Sequence, residues 1–332
     1  MRKNIKILAM ILASIMVIAA CGKGEDAASS DNNEKLKVMT TFYPMYEFTT
    51  QVAGDLADVE LLVPENQEPH GWEPTPKDIA NVQDSDLFIY NSKYMETFVE
   101  TIEEAVDSKE ITFVEASNGI TLKEGTEEEH AHEEESEEHD HEGEEHSEHE
   151  EETDHDHSHE MDPHVWLSPA LAIEEVKNIT QSLIKADPDN QETYEKNSDA
   201  YIAKLTALDS KFKDELSKVS KKEMITQHAA FAYLASEYGL EQVAIAGLSP
   251  EQEPSAQKLA ELKDFAKEHD IQVIYFEETA SEKVAQTLAT EIGAETEVLS
   301  TLEVLSKEDQ KQGLDYISVM ERNLDKIVAA QN

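Results

Sequence analysis

Between Glu127 and Glu160 the chain reads EEEHAHEEESEEHDHEGEEHSEHEEETDHDHSHE, and no packed fold can run through such a segment. It holds nine of the chain's 13 histidines and 19 acidic residues, with no lysine or arginine. Lacking an apolar face, it buries too little surface to offset the entropy of ordering itself. The ordered protein must therefore form from what lies on either side, with the tract as an insertion. Imidazoles and carboxylates are both ligands for divalent metals, so the composition of the tract points to metal handling.

The 332 residues are enough for two cores of ordinary size. Setting the tract's 19 acids against the net charge of −46 leaves −27, so the body is acidic too. Nucleic-acid phosphates need a basic face, which argues against that class of partner. An acidic body suits the attraction of cations, and it equally suits solubility.

The N-terminus has the pattern of a targeting segment, expected over residues 1–20. Arg2, Lys3 and Lys6 precede an uncharged, largely apolar run from Ile7 to Ala20. Its 14 residues fall short of the roughly 20 that a membrane-spanning helix needs. The run ends Ile18-Ala19-Ala20-Cys21, which resembles a bacterial lipoprotein signal in which the cysteine is acylated; an ordinary secretory signal is the alternative. Cys21 is the only cysteine, so an intramolecular disulfide and a thiolate metal site are both ruled out. Residues 21–34 are small and polar and read as a flexible tether.

Strands and helices alternate along the body, the pattern of a parallel α/β unit covered on both faces. Strands are expected at Leu36–Phe42, Val59–Val63, Asp86–Tyr90 and Ile111–Val114, with helices from Pro76 and over Tyr94–Val106. After the tract, Pro169–Lys185 is helical. A second helix, from Glu192 to about Val219, carries Tyr201, Leu205, Leu208, Phe212 and Leu216 at spacings of three and four. Its narrow stripe predicts a helix lying across the protein, about 40 Å long. Strands then return at Met224–Gln227, Val243–Ala246, Ile271–Phe276 and Glu297–Leu299. The helices among them are Ser255–Glu268, Ser281–Ile292 and Leu314–Val328, with His228 expected to open another. The expected fold is therefore two similar parallel-sheet α/β domains, 35–190 and 220–332, joined by a long helix over 191–219. The acidic-histidine loop spans 124–160 of the first.

Four histidines lie outside the tract: His70, His164, His228 and His269. The first three stand near strand ends or helix starts, where open α/β sheets place their ligands. His269, at a polar helix end, reads as a surface residue. Around the first three the chain contains PHGWEPTPKDI (69–79), MDPHVWLSP (161–169) and HAAFAYLASEYGL (228–240), followed by LSPEQEPS (248–255) and VLSTLE (298–303). With these words the chain resembles the zinc-specific substrate-binding lipoproteins of bacterial ABC importers, also called metal-receptor or adhesin-like lipoproteins.

The resemblance implies a metal held in the interdomain cleft by His70 and His164 from the first domain and His228 and Glu303 from the second. Glu277, Glu278 or water are the alternatives for the fourth position. It implies a long helix that limits closure, ABC permease and ATPase subunits as partners, and a monomer anchored to the extracytoplasmic face of the cell membrane through Cys21. The tract residues His130, His132, His139, His141, His146, His149, His155, His157 and His159 become an auxiliary collector of zinc, with an inert acidic insertion as the alternative. Three imidazoles and one carboxylate suit tetrahedral Zn²⁺, with manganese the runner-up cargo. Free imidazoles take up protons as pH falls through about 6.5, so binding should weaken there. A zinc hydrolase is the reading from another class, but no HExxH motif or evident nucleophile supports it. A surface adhesin is a further alternative.

Overall fold

Successive residues of the central strands point into different cores, and this sets the layering. Val38, Leu87 and Ile89 face one apolar cluster, while Met39, Phe88 and Tyr90 face another. Met224 and Tyr275 repeat the division against Ile225 and Ile274. A strand buried on both sides must be covered by helices on both sides, as parallel sheets are. The computed structural model describes residues 35–65, 67–107, 109–125, 161–251, 254–277 and 283–332. The expected signal segment and tether with Cys21, the nine tract histidines and Glu278 lie outside the described residues.

The first sheet consists of β1 (Leu36–Thr40), β2 (Ala57–Leu61), β3 (Leu87–Tyr90) and β4 (Thr112–Glu115), all parallel, in the order β2-β1-β3-β4. Next, β5 (Lys123–Glu124) pairs antiparallel with β6 (Met161–Asp162), forming a short stem beneath the tract. Glu124, assigned to the insertion on sequence grounds, thus belongs to a ladder. The second sheet is β7 (Glu223–Thr226), β8 (Glu241–Ala244), β9 (Val273–Phe276) and β10 (Glu295–Val298), parallel, in the order β10-β9-β7-β8. In each sheet the first strand lies between the second and the third, so both halves have the same order.

The helices are α1 (Tyr43–Ala53), α2 (Pro76–Gln83), α3 (Val99–Ala105), α4 (Pro169–Ala186), α5 (Gln191–Leu216), α6 (Ala232–Tyr238), α7 (Ala256–Glu268), α8 (Lys283–Ile292), α9 (Lys307–Gln312) and α10 (Tyr316–Gln331). Two differences from the sequence expectation matter. Tyr43–Ala53, given no element on sequence grounds, forms a helix; Pro44 near N1 and buried Met45, Phe48, Thr49, Val52 and Ala53 are the helical signal. His228 does not open a helix. It lies in the turn after β7, four residues before α6 begins at Ala232.

The 26 residues of α5 extend about 39 Å at 1.5 Å per residue. Tyr194, Ser198, Tyr201, Leu205, Leu208, Phe212 and Leu216 are its buried stripe. The hydrophobic members of that stripe lie in one continuous core that also takes in Val38 and Leu87 below the first sheet and Met224 and Tyr275 below the second. The narrow stripe is therefore embedded in a core shared by both halves, not laid across the outside of two. Among the described residues no helix is long and apolar enough to cross a membrane.

Leu205 is fully buried at the middle of this stripe. Leu205→Ala is expected to destabilise by about 2–5 kcal/mol through lost burial and the cavity left behind. The neighbouring Lys204→Ala should stay within about 0.5 kcal/mol, because its side chain is exposed. Urea midpoints of the two variants check the contrast.

Candidate metal centre

All the parallel strands of a half end on the same side, and the polar loops after them converge there. In open α/β sheets the crevice opens where strand order reverses, between β1 and β3 in the first half and between β7 and β9 in the second. His228 follows β7, and Glu277 directly follows β9. In the first half, Asn91 directly follows β3, and its Nδ2 donates to the carbonyl of Pro163 at 2.8 Å, which seats His164 over the corresponding gap. His70 arrives on the loop after β2 and Glu303 on the loop after β10.

His70, His164, His228 and Glu303 come together, each offering one ligand atom, with these atoms all within 4.8 Å of one another. His164 Nε2 stands 3.2 Å from His70 Nε2 and 3.3 Å from His228 Nε2. Glu303 Oε1 lies 3.5, 3.7 and 3.4 Å from the Nε2 atoms of His70, His164 and His228. A regular tetrahedron with metal–ligand bonds of about 2.0–2.2 Å has edges of about 3.3–3.6 Å. Five of the six separations are thus close to those that a tetrahedral zinc ion requires. With Zn²⁺, three neutral imidazoles and one carboxylate leave a net charge of +1.

Two of the three rings are aimed by a carboxylate, and the backbone of the third is held by one. Asp162 Oδ1 accepts the backbone N–H of His164 at 2.9 Å and faces its Nδ1 at 2.8 Å. Glu277 Oε1 meets Nδ1 of His228 at 2.5 Å. Such contacts leave Nε2 as the metal-facing atom and raise its basicity as a ligand. Glu68 Oε1 accepts the backbone N–H of His70 at 3.0 Å, and Glu68 Oε2 that of Gly71 at 3.3 Å. The far end of this loop is fixed by a capping box, in which Asp78 Oδ2 accepts the Thr75 N–H at 2.8 Å and Thr75 Oγ1 accepts the Asp78 N–H at 3.4 Å.

Glu277 and Glu278 were the competing fourth positions. Glu277 stands behind the imidazole of His228, outside the converging group; Glu278 is outside the described residues. His269 takes no part in the group: its ring stacks on Phe265, with centroids 4.2 Å apart. Neither Asp162 nor Glu68 was singled out on sequence grounds, although a signal exists. Both first-half histidines occur in an acid-Pro-His triplet, Glu68-Pro69-His70 and Asp162-Pro163-His164, and in each the acid caps the histidine amide.

Electrostatics divide the rings. Burial lowers the pKa of His164 below the usual imidazole range despite the hydrogen bond and charge of Asp162. Burial acts the same way on His228, but Glu277 and Glu303 outweigh it and push that pKa up to about 10. Glu303 is buried too, which opposes its charge, yet the hydrogen bonds and charges of His228 and His70 hold its pKa well below the usual carboxylate range.

Comparison with known proteins follows the same words and geometry. The family model described as zinc-uptake complex component A, periplasmic, matches residues 38–330. The high-affinity zinc uptake system protein ZnuA of Bacillus subtilis strain 168 is 60% identical over 319 residues, covering 96% of this chain and 95% of that protein. The crystal structure of the metal-dependent lipoprotein YcdH from Bacillus subtilis superposes with a TM-score of 0.72 at 56% identity, covering 90% of this chain and 99% of that one. The Zn(II)-bound ZnuA-like domain of Streptococcus pneumoniae AdcA also gives 0.72, at 45% identity and with the same coverage.

The raised pKa of His228 makes a signed prediction. Below about pH 10 its imidazole carries a proton, which a metal on Nε2 must displace, whereas His164 is already neutral. Zinc binding at pH 8 should therefore release about one proton per ion, and affinity should rise by about tenfold per pH unit between 7 and 9. Calorimetry in buffers of different ionisation enthalpy measures the release; no buffer dependence would contradict the assignment.

Proposed function

The chain belongs to the zinc-uptake complex component A family, and on that premise we propose that it is the extracytoplasmic zinc receptor of an ABC import system. In this reading it captures Zn²⁺ between its two α/β halves and delivers it to a membrane permease powered by an ATPase subunit. The observation that carries the reading is the convergence of His70, His164, His228 and Glu303, whose ligand atoms all lie within 4.8 Å of one another and at 3.2–3.7 Å across five of the six pairs. Zinc is the cargo, not a resident cofactor. A site meant to release its ion has reason to hold it through residues from separate loops, since displacement of one loop loosens every bond.

The donor set supports zinc over manganese. Manganese favours oxygen-rich, octahedral surroundings, and here three of the four donors are nitrogens in a small tetrahedron. All four carriers of the donor atoms are largely or fully buried, His70 the least so, with 9% of its side chain exposed. Zinc is thus expected to enter and leave past His70. The reading assigns no catalytic step to the chain. Cys21 carries the lipid anchor, residues 1–20 are the signal segment, and 21–34 are the tether of a monomer.

The tract from Glu127 to Glu160 serves as collector. It springs from the β5–β6 stem, and its last strand residue, Asp162, is the group that aims His164. Ions gathered by nine histidines are thereby held at raised local concentration close to one ligand of the tight site.

Two measurements test these assignments. Native mass and metal analysis of protein lacking Glu127–Glu160 should find one zinc per chain, lost on His228→Ala; retention of the ion in that variant would remove His228 from the site. The tract deletion should also slow zinc-limited growth in a strain dependent on this receptor. Loss of the tight site on deletion would contradict the separation of collector from site.

A further inference from the structure

We propose that Trp166 is a positioning residue that sets the separation of His164 from Glu303, and with it the small tetrahedron on which selection of zinc depends. This deepens, and rests on, the receptor reading above. Trp166 stands two residues after His164, and Thr301 two residues before Glu303. The indole Nε1–H of Trp166 donates to the carbonyl of Thr301 at 2.8 Å, across 135 positions of sequence. The carbonyl of Trp166 accepts the hydroxyl of Tyr316 at 2.5 Å. One ligand loop of the first half is therefore fastened at both ends of a single residue to the second half.

The partner loop is equally constrained. Asn323 Nδ2 donates to the Ser300 carbonyl at 2.7 Å, and Asn323 Oδ1 accepts the Ser300 N–H at 3.1 Å. Between Thr301 and Glu303, Leu302 has φ +56°, a left-handed conformation unfavourable for a branched side chain, and its side chain is buried in the shared core. Such a conformation persists only where the surroundings over-determine it. Here it turns the chain between a carbonyl that faces Trp166 and a carboxylate that faces three imidazoles. Without the indole hydrogen bond, the buried Thr301 carbonyl loses this donor, and the two ligand loops lose their shortest direct link.

The consequence is geometric selection. Raw affinity for a nitrogen-rich site follows the Irving–Williams order and does not by itself select zinc among the first-row divalent ions, so geometry and ligand number must also select. An ion that prefers longer bonds and six ligands must push His164 and Glu303 apart, and the Trp166–Thr301 bond resists that movement. Trp166 touches no metal; it acts through the two ligands it ties together.

The test compares Trp166→Phe with the unaltered protein and with Phe42→Leu. Phe42 packs edge-on against the indole, centroids 4.9 Å apart, so its truncation loosens the same packing and keeps the N–H. Each protein is titrated with zinc against a chromophoric chelator, titrated with manganese, and loaded with Co²⁺ for its ligand-field spectrum. Trp166→Phe is expected to lose about 10–100-fold in zinc affinity, the range typical of groups that orient metal ligands. Its zinc-over-manganese preference should narrow, and its cobalt absorption should fall toward the weak bands of higher coordination. Phe42→Leu should lower Tm and leave the cobalt bands intact. Asn323→Ala, which removes the two Asn323 bonds to the Ser300 backbone and spares the tryptophan, carries the same expectation as Trp166→Phe and replaces it if that variant does not fold. Unchanged affinity and cobalt bands in Trp166→Phe would overturn the proposal, as would equal spectral loss in Phe42→Leu. If the unaltered protein bound no zinc, the receptor reading itself would fail.

Discussion

Glu303 is a carboxylate buried to 1% exposure. Burying an isolated carboxylate is expensive, and in proteins such a charge is paired or binds a metal. The imidazoles of His228 and His70 hold this one charged, at 3.4 and 3.5 Å, and that of His164 stands beside it at 3.7 Å, the three rings coming from three separate loops. The rest of the architecture can be understood as what is needed to bring those four groups together. Two sheets must present their carboxyl ends to one place. Their loops must be stiff, and carboxylates behind the rings must set which nitrogen faces inward.

The shared strand order of the two halves supplies the first requirement. In each sheet the strand order reverses between the first and third strands, and each reversal opens a polar gap at the strand ends. His228 and its partner Glu277 occupy the gap of the second sheet. In the first sheet the gap is taken by Asn91, which holds the backbone beside His164. Below the gaps, α5 and the faces of both sheets close into one continuous core. That core fixes the halves more firmly than two separate cores with a helical spacer would, since relative motion has to slide buried side chains past one another.

Stiffness comes from reuse of a few residues. Asp162 caps the amide of His164, aims its ring, closes the β5–β6 stem and, through its carbonyl, accepts the hydroxyl of Tyr233 from the second half at 2.7 Å. The same hydroxyl accepts the N–H of Lys123 on the other stem strand, at 2.8 Å. The place where the histidine-rich insertion leaves the fold is thus wired both to a site ligand and across to the other half. Electrostatics then distinguish rings that composition treats as equal: two carboxylates raise the proton affinity of His228, while burial lowers that of His164.

The sequence by itself determined the class of the fold and pointed to the four residues that converge in the structure. Alternating apolar runs record burial on both faces of a strand, and the three-and-four spacing of Tyr201 to Leu216 records one buried face of a helix, because each pattern is written within a few residues. The words around His70, His164, His228 and Glu303 made the four separable from the nine histidines of the tract. Only the tertiary structure decided the rest. Helix α1 was obscured by aromatic and β-branched residues whose fate depends on what they pack against. Glu277 proved to stand behind a ring and not in the converging group, and Trp166 proved to tie Thr301 to the loop of His164. Those relations join positions 49 and 135 residues apart. No local period encodes such a distance; it arises when two sheets close around one core, and burial then turns a chance proximity of charges into a defined arrangement of donors.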